Sequence, residues 1–188
     1  MTTLTINAGS GDCYCGMVRD DIDTTGTIAY IGKGGADPQD FRRAWFPFAN
    51  VTIPKSTVIT SATLKMVANA NGGAANSTKV GCEAADNPSD PATAADLRAR
   101  TLSSAYTLDA FSPWVTGTQY SLDITTAVQE ILNRAGWVSG NKLAVMTTDN
   151  GSSDDGLRGI ATVEDATYSE AILEIVYALP SASQIIIF

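Results

Sequence analysis

The chain is built from short stretches in which apolar and polar residues alternate. Alternation with a period of two over about four to eight residues is typical of β-strands that bury one face. Turn-forming residues separate the stretches, as they do between the strands of a sandwich or barrel. The predicted strands lie at residues 4–6, 13–17, 28–31, 44–48, 62–68, 80–84, 120–124, 143–146 and 172–177. The pattern predicts an all-β fold, a single jelly-roll-like antiparallel β-sandwich.

One segment has the periodicity of a helix instead. Its apolar residues at helical spacing are Val128, Ile131, Leu132 and Ala135. Thr126 and Gln129 match a capping box, and Gly136 follows as a stop signal. The spacing predicts a helix over residues 126–135 whose apolar stripe covers one end of the sandwich. A second, shorter helix is expected over residues 93–99.

The chain changes character after residue 178. Residues 1–178 contain no internal repeat or linker, and their number suits one sandwich domain. The chain ends on four large apolar residues, Ile185, Ile186, Ile187 and Phe188. We expect residues 179–188 to be a docking segment that contacts a neighbouring subunit or adds a strand to a partner's edge. The alternative is a last strand that folds back on its own sheet.

The charge and the absence of histidine exclude several classes of function. A net charge of −8 disfavours nucleic acids and anionic membranes as partners. With no histidine among the 188 residues, Ser–His–Asp triads and His-based zinc sites are excluded. Paired carboxylates would survive this filter, but the acidic residues considered all have ordinary solvated interpretations: Asp109, Asp123, Glu164 and Glu170. We expect no enzymatic activity.

The three cysteines predict no metal site. Cys13 and Cys15 lie two residues apart in a predicted strand, so both face the same side, and a disulfide between them would be strained. A bridge from one of them to Cys82 stays open. We expect buried, reduced thiols that act as small apolar side chains.

The order of five motifs is similar to that of the DNRLRE-type β-sandwich domains. The motifs are an aromatic strand, a Ser-Ala-Thr-Leu strand, an Asp-Ile-Thr entry to a helix, a Gly-Trp and Gly-Asn turn, and a Leu-Glu-Ile-Val-Tyr strand. They lie at Arg43–Phe48, Ile59–Leu64, Leu122–Thr125, Gly136–Asn141 and Leu173–Tyr177. The resemblance implies a jelly roll like that of carbohydrate-binding modules, with an adhesive or structural role and no catalytic residues.

Domains of this type occur in bacterial surface proteins and in virion proteins of tailed phages. The present chain starts at Met1 with neither a basic nor an apolar leader, so we expect no signal peptide and synthesis in a host cytoplasm. A lone domain without a cell-wall anchor favours a virion location. The resemblance therefore predicts a phage capsid decoration or cement protein, or another head or tail accessory. Its partners would be the major capsid or another virion protein and copies of itself.

The alternative function is a carbohydrate-binding or adhesion module. Aromatic side chains that stack on sugars must be exposed, and Trp114, after Ser112 and Pro113, is predicted to be free for this role. Trp45 lies in a predicted core strand, and Trp137 is expected to pack over the end of the sandwich.

The sequence offers a candidate site for one cofactor, a Ca²⁺ ion. Asp149, Asp154 and Asp155 lie in an acidic, Gly-rich loop whose carboxylates could supply oxygen ligands. The loop lacks the Glu that an EF-hand has at its twelfth position. The alternative interpretation is a polar hairpin loop with glycine at positive φ.

Overall fold

The computed structural model describes residues 1–16, 21–37, 40–70, 72–109 and 111–178. Within these ranges the strands are β1 (Thr2–Asn7), β2 (Cys13–Gly16), β3 (Ile22–Asp23), β4 (Ile28–Lys33), β5 (Phe41–Phe48), β6 (Ile59–Ala70), β7 (Thr78–Glu83), β8 (Leu102–Asp109), β9 (Gln119–Asp123), β10 (Leu143–Asp149), β11 (Arg158–Ala161) and β12 (Ile172–Tyr177). The helices are α1 (Ala94–Ala99) and α2 (Thr125–Leu132).

The described strands form two antiparallel layers that curl around one core. One layer contains β9, β6, β12 and β1 in that order. The other contains β3, β2, β5, β10, β7 and β8. β4 and β11 pair with each other and join the layers, because β4 also pairs with β5 and β11 also pairs with β6. This arrangement confirms the predicted all-β sandwich.

The core lies between the layers and follows the predicted alternation. In β6, Ala62, Leu64 and Met66 are fully buried while the residues between them are partly exposed. Leu64 is the register partner of Leu173 on β12, and Phe46 on β5 is the partner of Val145 on β10. These strands form because alternate side chains reach the same apolar interior.

Helix α2 is confirmed, but its predicted ends are wrong. Its buried residues are Ala127, Val128, Ile131 and Leu132, and it packs against β6, β7 and β8 from both layers. The helix ends at Leu132 rather than residue 135, with Asn133 as its C-cap. The capping box is absent, because the Gln129 side chain instead accepts a hydrogen bond from the Ile59 amide at 3.0 Å. A hydrogen bond to a distant strand has therefore replaced the predicted hydrogen bond within the helix.

Helix α1 covers the outer face of the second layer. The side chain of its N-cap, Thr93, accepts a hydrogen bond from the Asp96 amide at 3.1 Å, and this confirms the predicted short helix. Leu97 packs on a second buried cluster that includes Trp45 and Met146. Arg43 of β5 reaches under the helix, where its Nη1 donates hydrogen bonds to carbonyl oxygens near the C-terminal end of α1.

The three cysteines are free and buried, as predicted. Cys13 and Cys15 lie on the same face of β2 in the second cluster, and Cys82 lies in the main core. Burial raises the pKa of the Cys13 thiol to about 12, and it also raises the pKa of Cys15 and Cys82. The three side chains therefore stay protonated at neutral pH.

Strand β8 is absent from the sequence-based prediction. Its buried positions include the polar residues Ser103 and Asp109, whereas Tyr106 and Leu108 are 43% and 46% exposed. In this strand polar residues are buried and large apolar residues are exposed, which is the reverse of the pattern by which strands were predicted. The expectation that Asp109 is solvated is wrong, because the side chain is 2% exposed.

One further prediction lies outside the described residues. The proposed docking residues Ile185, Ile186, Ile187 and Phe188 lie outside them, so docking stays a prediction. Among the residues that are described, no helix has the length and hydropathy needed to cross a bilayer.

Candidate functional site

The structure buries Trp114, which the sequence predicts to be exposed. Its side chain is 1% exposed, and its ring stacks on that of Tyr120 with the ring centroids 4.3 Å apart. Phe111 packs beside both rings. The indole Nε1 donates a hydrogen bond to the carbonyl oxygen of Gly159 at 3.3 Å. The prediction that Trp114 is free to stack on a glycan is wrong, because its ring and its N–H are both occupied.

We call Phe111, Trp114 and Tyr120 the closed aromatic cluster. The Tyr120 hydroxyl accepts a hydrogen bond from the Val115 amide at 2.9 Å and donates one to the carbonyl oxygen of Pro113 at 2.8 Å. These contacts hold the segment that precedes β9 against the sandwich. The polar atoms of the cluster are thus used in fixing a loop.

The other two tryptophans are buried, as predicted. Trp45 is fully buried, and its Nε1 donates a hydrogen bond to Glu83 at 2.7 Å. Trp137 is 2% exposed and donates to the carbonyl oxygen of Ile53 at 3.0 Å. Neither ring is available to a ligand.

The acidic loop between β10 and β11 does not bring its carboxylates together. Asp149 accepts hydrogen bonds from the amides of Gly151 at 2.8 Å and Ser152 at 3.2 Å. Asp154 forms an ion pair with Lys33, while Asp155 is exposed. In the described ranges, no group of three or more acidic, Cys or His side chains is arranged to hold a metal ion. The loop is polar and has Gly151 at φ 91°, as the alternative interpretation expects, but it does not close a hairpin, because β10 pairs with β5 and β7 while β11 pairs with β4 and β6.

An open groove lies between β2, the turn that joins β3 to β4, and β4. Its volume is about 200 Å³. Its lining residues are Tyr14, Asp23, Gly26, Thr27, Ile28 and Tyr30. We call it the tyrosine groove.

Strand geometry places the two tyrosines in this groove. Tyr14 alternates with Cys13 and Cys15, so it projects from the opposite face of β2. Its ring meets that of Tyr30 edge to face, with the centroids 5.3 Å apart and an interplanar angle of 80°. Both side chains are half-buried, so they are anchored by the protein and still reachable from solvent.

Asp23 supplies a carboxylate whose two oxygens are used differently by the described residues. Its Oδ1 accepts hydrogen bonds from the amides of Thr25 at 3.0 Å and Gly26 at 2.7 Å. No described residue donates a hydrogen bond to Oδ2. A side chain at position 26 would run into this carboxylate, so glycine keeps the space open. Burial and the nearby Asp23 raise the pKa of Tyr14, which keeps its phenol protonated as a donor.

The wall of the groove is tied to the loop that follows β11. Thr162 donates from its Oγ1 to the carbonyl oxygen of Gly26 at 2.7 Å and from its amide to that of Thr27 at 3.3 Å. The Asn69 side chain donates to the same Thr27 oxygen at 3.0 Å. The groove is therefore built from the joint between the two layers.

Sequence reasoning missed the tyrosine groove. The alternation in β2 was a usable signal, because burying Cys13 and Cys15 on one face sends Tyr14 to the other. No local pattern indicates that Tyr30 and Asp23 lie beside it. Their proximity depends on the register of β2 with β3 and on how β4 crosses between the layers.

The chain is similar to known proteins in structure and not in sequence family. No protein-family model matches the sequence, and no curated protein matches it. The chain is similar to a solved structure of Clostridium thermocellum endo-1,4-β-D-xylanase 10B, CBM22-1 and GH10 modules, complexed with xylohexaose. The identity is 8%, the TM-score is 0.35, and the match covers 95% of this chain and 28% of that chain. The sandwich is established by its strand pairing, and the DNRLRE-type resemblance stays a prediction.

Proposed function

We propose that the chain is a non-enzymatic carbohydrate-binding module and that the tyrosine groove binds a neutral sugar. The observation that carries this proposal is the meeting of two anchored tyrosine rings and a carboxylate oxygen that no described residue engages, all in one open groove. Aromatic rings pack against the apolar C–H faces of sugars. The carboxylate accepts hydrogen bonds from sugar hydroxyls, and a phenol both donates and accepts them.

The charge of the groove favours neutral over acidic sugars. Asp23 lines it, and both Asp21 and Asp23 act on Tyr14 electrostatically. The chain as a whole carries a net charge of −8. Sialic or uronic acid residues would meet like charge here, whereas a neutral hexose or pentose would not.

The size of the groove favours weak binding. Its volume of about 200 Å³ is below the roughly 300–1,000 Å³ of typical small-molecule pockets. We expect dissociation constants of about 0.1–1 mM for a short oligosaccharide. Adhesion would then require several copies of the domain acting together.

The same lining argues against glycoside hydrolysis. That reaction uses two carboxyl groups separated by roughly 5–9.5 Å. Asp23 is the one carboxylate among the described residues that line the groove. We therefore propose binding without catalysis.

A glycan array followed by titration calorimetry tests the proposal. Neutral glycans should bind the wild-type protein, and Tyr30→Ala should weaken the binding at least about tenfold, or 1.4 kcal/mol. Binding should be the same with and without a chelator, because the acidic loop does not gather its carboxylates.

Tyr106→Ala is the matched control. It removes a tyrosine that is 43% exposed on β8, outside the groove. It should leave binding unchanged. Binding that survives Tyr30→Ala but is lost in Tyr106→Ala would contradict the assignment of the groove, and an array without any neutral hit would contradict the function.

A second candidate function, a virion structural protein that works through protein contacts, is favoured by the edge strand β1. In the described part of the chain, β1 pairs with β12 alone. Its sequence from Thr2 to Asn7 contains neither charge nor proline, the usual protections of a free edge. At β8, by contrast, the Glu130 carboxylate accepts hydrogen bonds from the amides of Ser104 and Ala105.

We propose that residues 185–188 of one copy pair with β1 of another. Deleting residues 181–188 should leave the fold intact and abolish self-association in analytical ultracentrifugation. Thr3→Pro in β1 should have the same effect on association. Normal assembly of either variant would contradict this mode of docking.

A further inference from the structure

Two carboxyl groups that no cation among the described residues accompanies meet at the end of the sandwich. Asp12 lies in the loop between β1 and β2, and its side chain is 1% exposed. Its Oδ2 accepts a hydrogen bond from the Val163 amide at 3.1 Å. Its carboxyl group also lies within hydrogen-bonding contact of Glu164, in the loop between β11 and β12.

In the part of the chain that the structure describes, each of these carboxyl groups has a buried oxygen that no hydrogen-bond donor reaches. The atoms are Asp12 Oδ1 and Glu164 Oε2. Two ionised carboxylates cannot satisfy each other, because both only accept hydrogen bonds. One proton between them converts one group into a donor and satisfies both oxygens, as in other close carboxyl pairs.

The charges around Asp12 strengthen this need for a proton. Glu164 and Glu170, both from the β11–β12 loop, act on it with the same sign. A third acidic side chain, that of Asp90, lies beside Gly11, the residue that precedes Asp12. Two basic side chains of the described residues near this end are engaged elsewhere, since Lys142 pairs with Asp90 and Arg100 pairs with Glu83 and Asp96.

We propose that Asp12 keeps its proton in the folded protein and donates it in a hydrogen bond to Glu164, forming a pH-sensitive clasp that fastens the β11–β12 loop to the β1–β2 loop. The β11–β12 loop also contacts the tyrosine groove, because its Thr162 donates hydrogen bonds to the carbonyl oxygens of Gly26 and Thr27. The clasp does not depend on the groove binding a sugar.

The direction of the pH dependence follows from linkage. Burial raises the pKa of Asp12 from 3.8 to about 7, the Val163 amide opposes this, and Glu164 and Glu170 add to it. A carboxyl group with a raised pKa in the folded state binds its proton more tightly there than in the unfolded chain. The stabilisation is complete below about pH 4, declines as the pH rises, and is lost once the pH exceeds about 7.

Asp12→Asn is the direct test of the clasp. Asparagine keeps the oxygen that accepts from Val163 and carries a permanent donor toward Glu164. Between pH 5.5 and 8 the melting temperature of the wild-type protein should fall by roughly 5 °C more than that of the variant. Glu164→Gln should flatten the wild-type dependence in the same way.

Asp155→Asn is the control, because it removes an exposed carboxylate from the β10–β11 loop. It should show the wild-type pH dependence. Carbon-13 NMR of the Asp12 carboxyl should show titration near pH 7. Titration of Asp12 below about pH 5, or equal pH dependence in wild type and Asp12→Asn, would overturn the proposal. So would wild-type stability that millimolar Ca²⁺ restores at pH 8, because the pair would then hold a cation.

Discussion

The two aromatic clusters near the joint between the layers use their rings in opposite ways. In the closed cluster, Trp114 and Tyr120 stack at 4.3 Å, and their polar atoms bond to the protein backbone. In the tyrosine groove, Tyr14 and Tyr30 meet edge to face at 5.3 Å beside a carboxylate oxygen that no described residue engages. The first cluster fixes a loop, whereas the second borders an open groove.

The difference shows that residue type is a poor guide to which aromatic rings face solvent. Tryptophan is the stronger stacking side chain, but its large apolar area also means that burying it stabilises the fold more than burying a tyrosine does. What distinguishes the two clusters is whether their hydrogen-bonding atoms already have partners. Substitutions that separate stability from binding should therefore distinguish them.

The largest effect is expected from Trp114→Ala. Removing a buried tryptophan leaves a cavity and should lower the free energy of unfolding by about 3–5 kcal/mol. Urea denaturation followed by circular dichroism measures this change. Trp114→Phe, which keeps a ring against Tyr120, should cost clearly less. A loss below 1 kcal/mol for the alanine variant would mean that the closed cluster is not a structural element.

Tyr120→Phe should have an intermediate effect. The change keeps the stacked ring and removes only the hydroxyl that bonds Pro113 and Val115. We expect a loss of about 1–2 kcal/mol in the free energy of unfolding. Amide exchange at Val115 should also accelerate. Unchanged exchange there would contradict the role assigned to the hydroxyl in holding the loop.

Tyr30→Ala should cost less stability than either change to the closed cluster. The ring is half-buried, so its truncation should lower the free energy of unfolding by about 1 kcal/mol or less. The same urea denaturation applies. A loss as large as that of Trp114→Ala would show that the tyrosine groove is part of the core and would remove the contrast between the clusters.

Gly26→Ala should have the smallest effect on stability and a visible effect on binding. The added methyl group contacts the Asp23 carboxylate, a side chain that is able to shift. We expect a cost of at most about 0.5–1 kcal/mol in folding. Glycan affinity should fall because Asp23 is displaced. Unchanged affinity, measured by calorimetry, would exclude the carboxylate from the ligand contact.

The predictable parts of the molecule are those decided by local periodicity. Alternation placed β6 and β12 correctly, and the spacing of Val128, Ile131 and Leu132 placed α2. The prediction failed where tertiary partners outweighed local signals. The Gln129 side chain accepts a hydrogen bond from the Ile59 amide instead of capping the start of its own helix. Strand β8 has polar residues at buried positions.

The sequence by itself determined the fold class, the burial of the cysteines and the lack of histidine chemistry, because these follow from composition and period. Only the tertiary structure decided which aromatic residues face solvent. It brought Tyr14, Tyr30 and Asp23 into one groove and set Asp12 against Glu164. Such neighbours come from strands and loops far apart in the chain, and their contact depends on register and on the curl of the sheet, which no local pattern encodes.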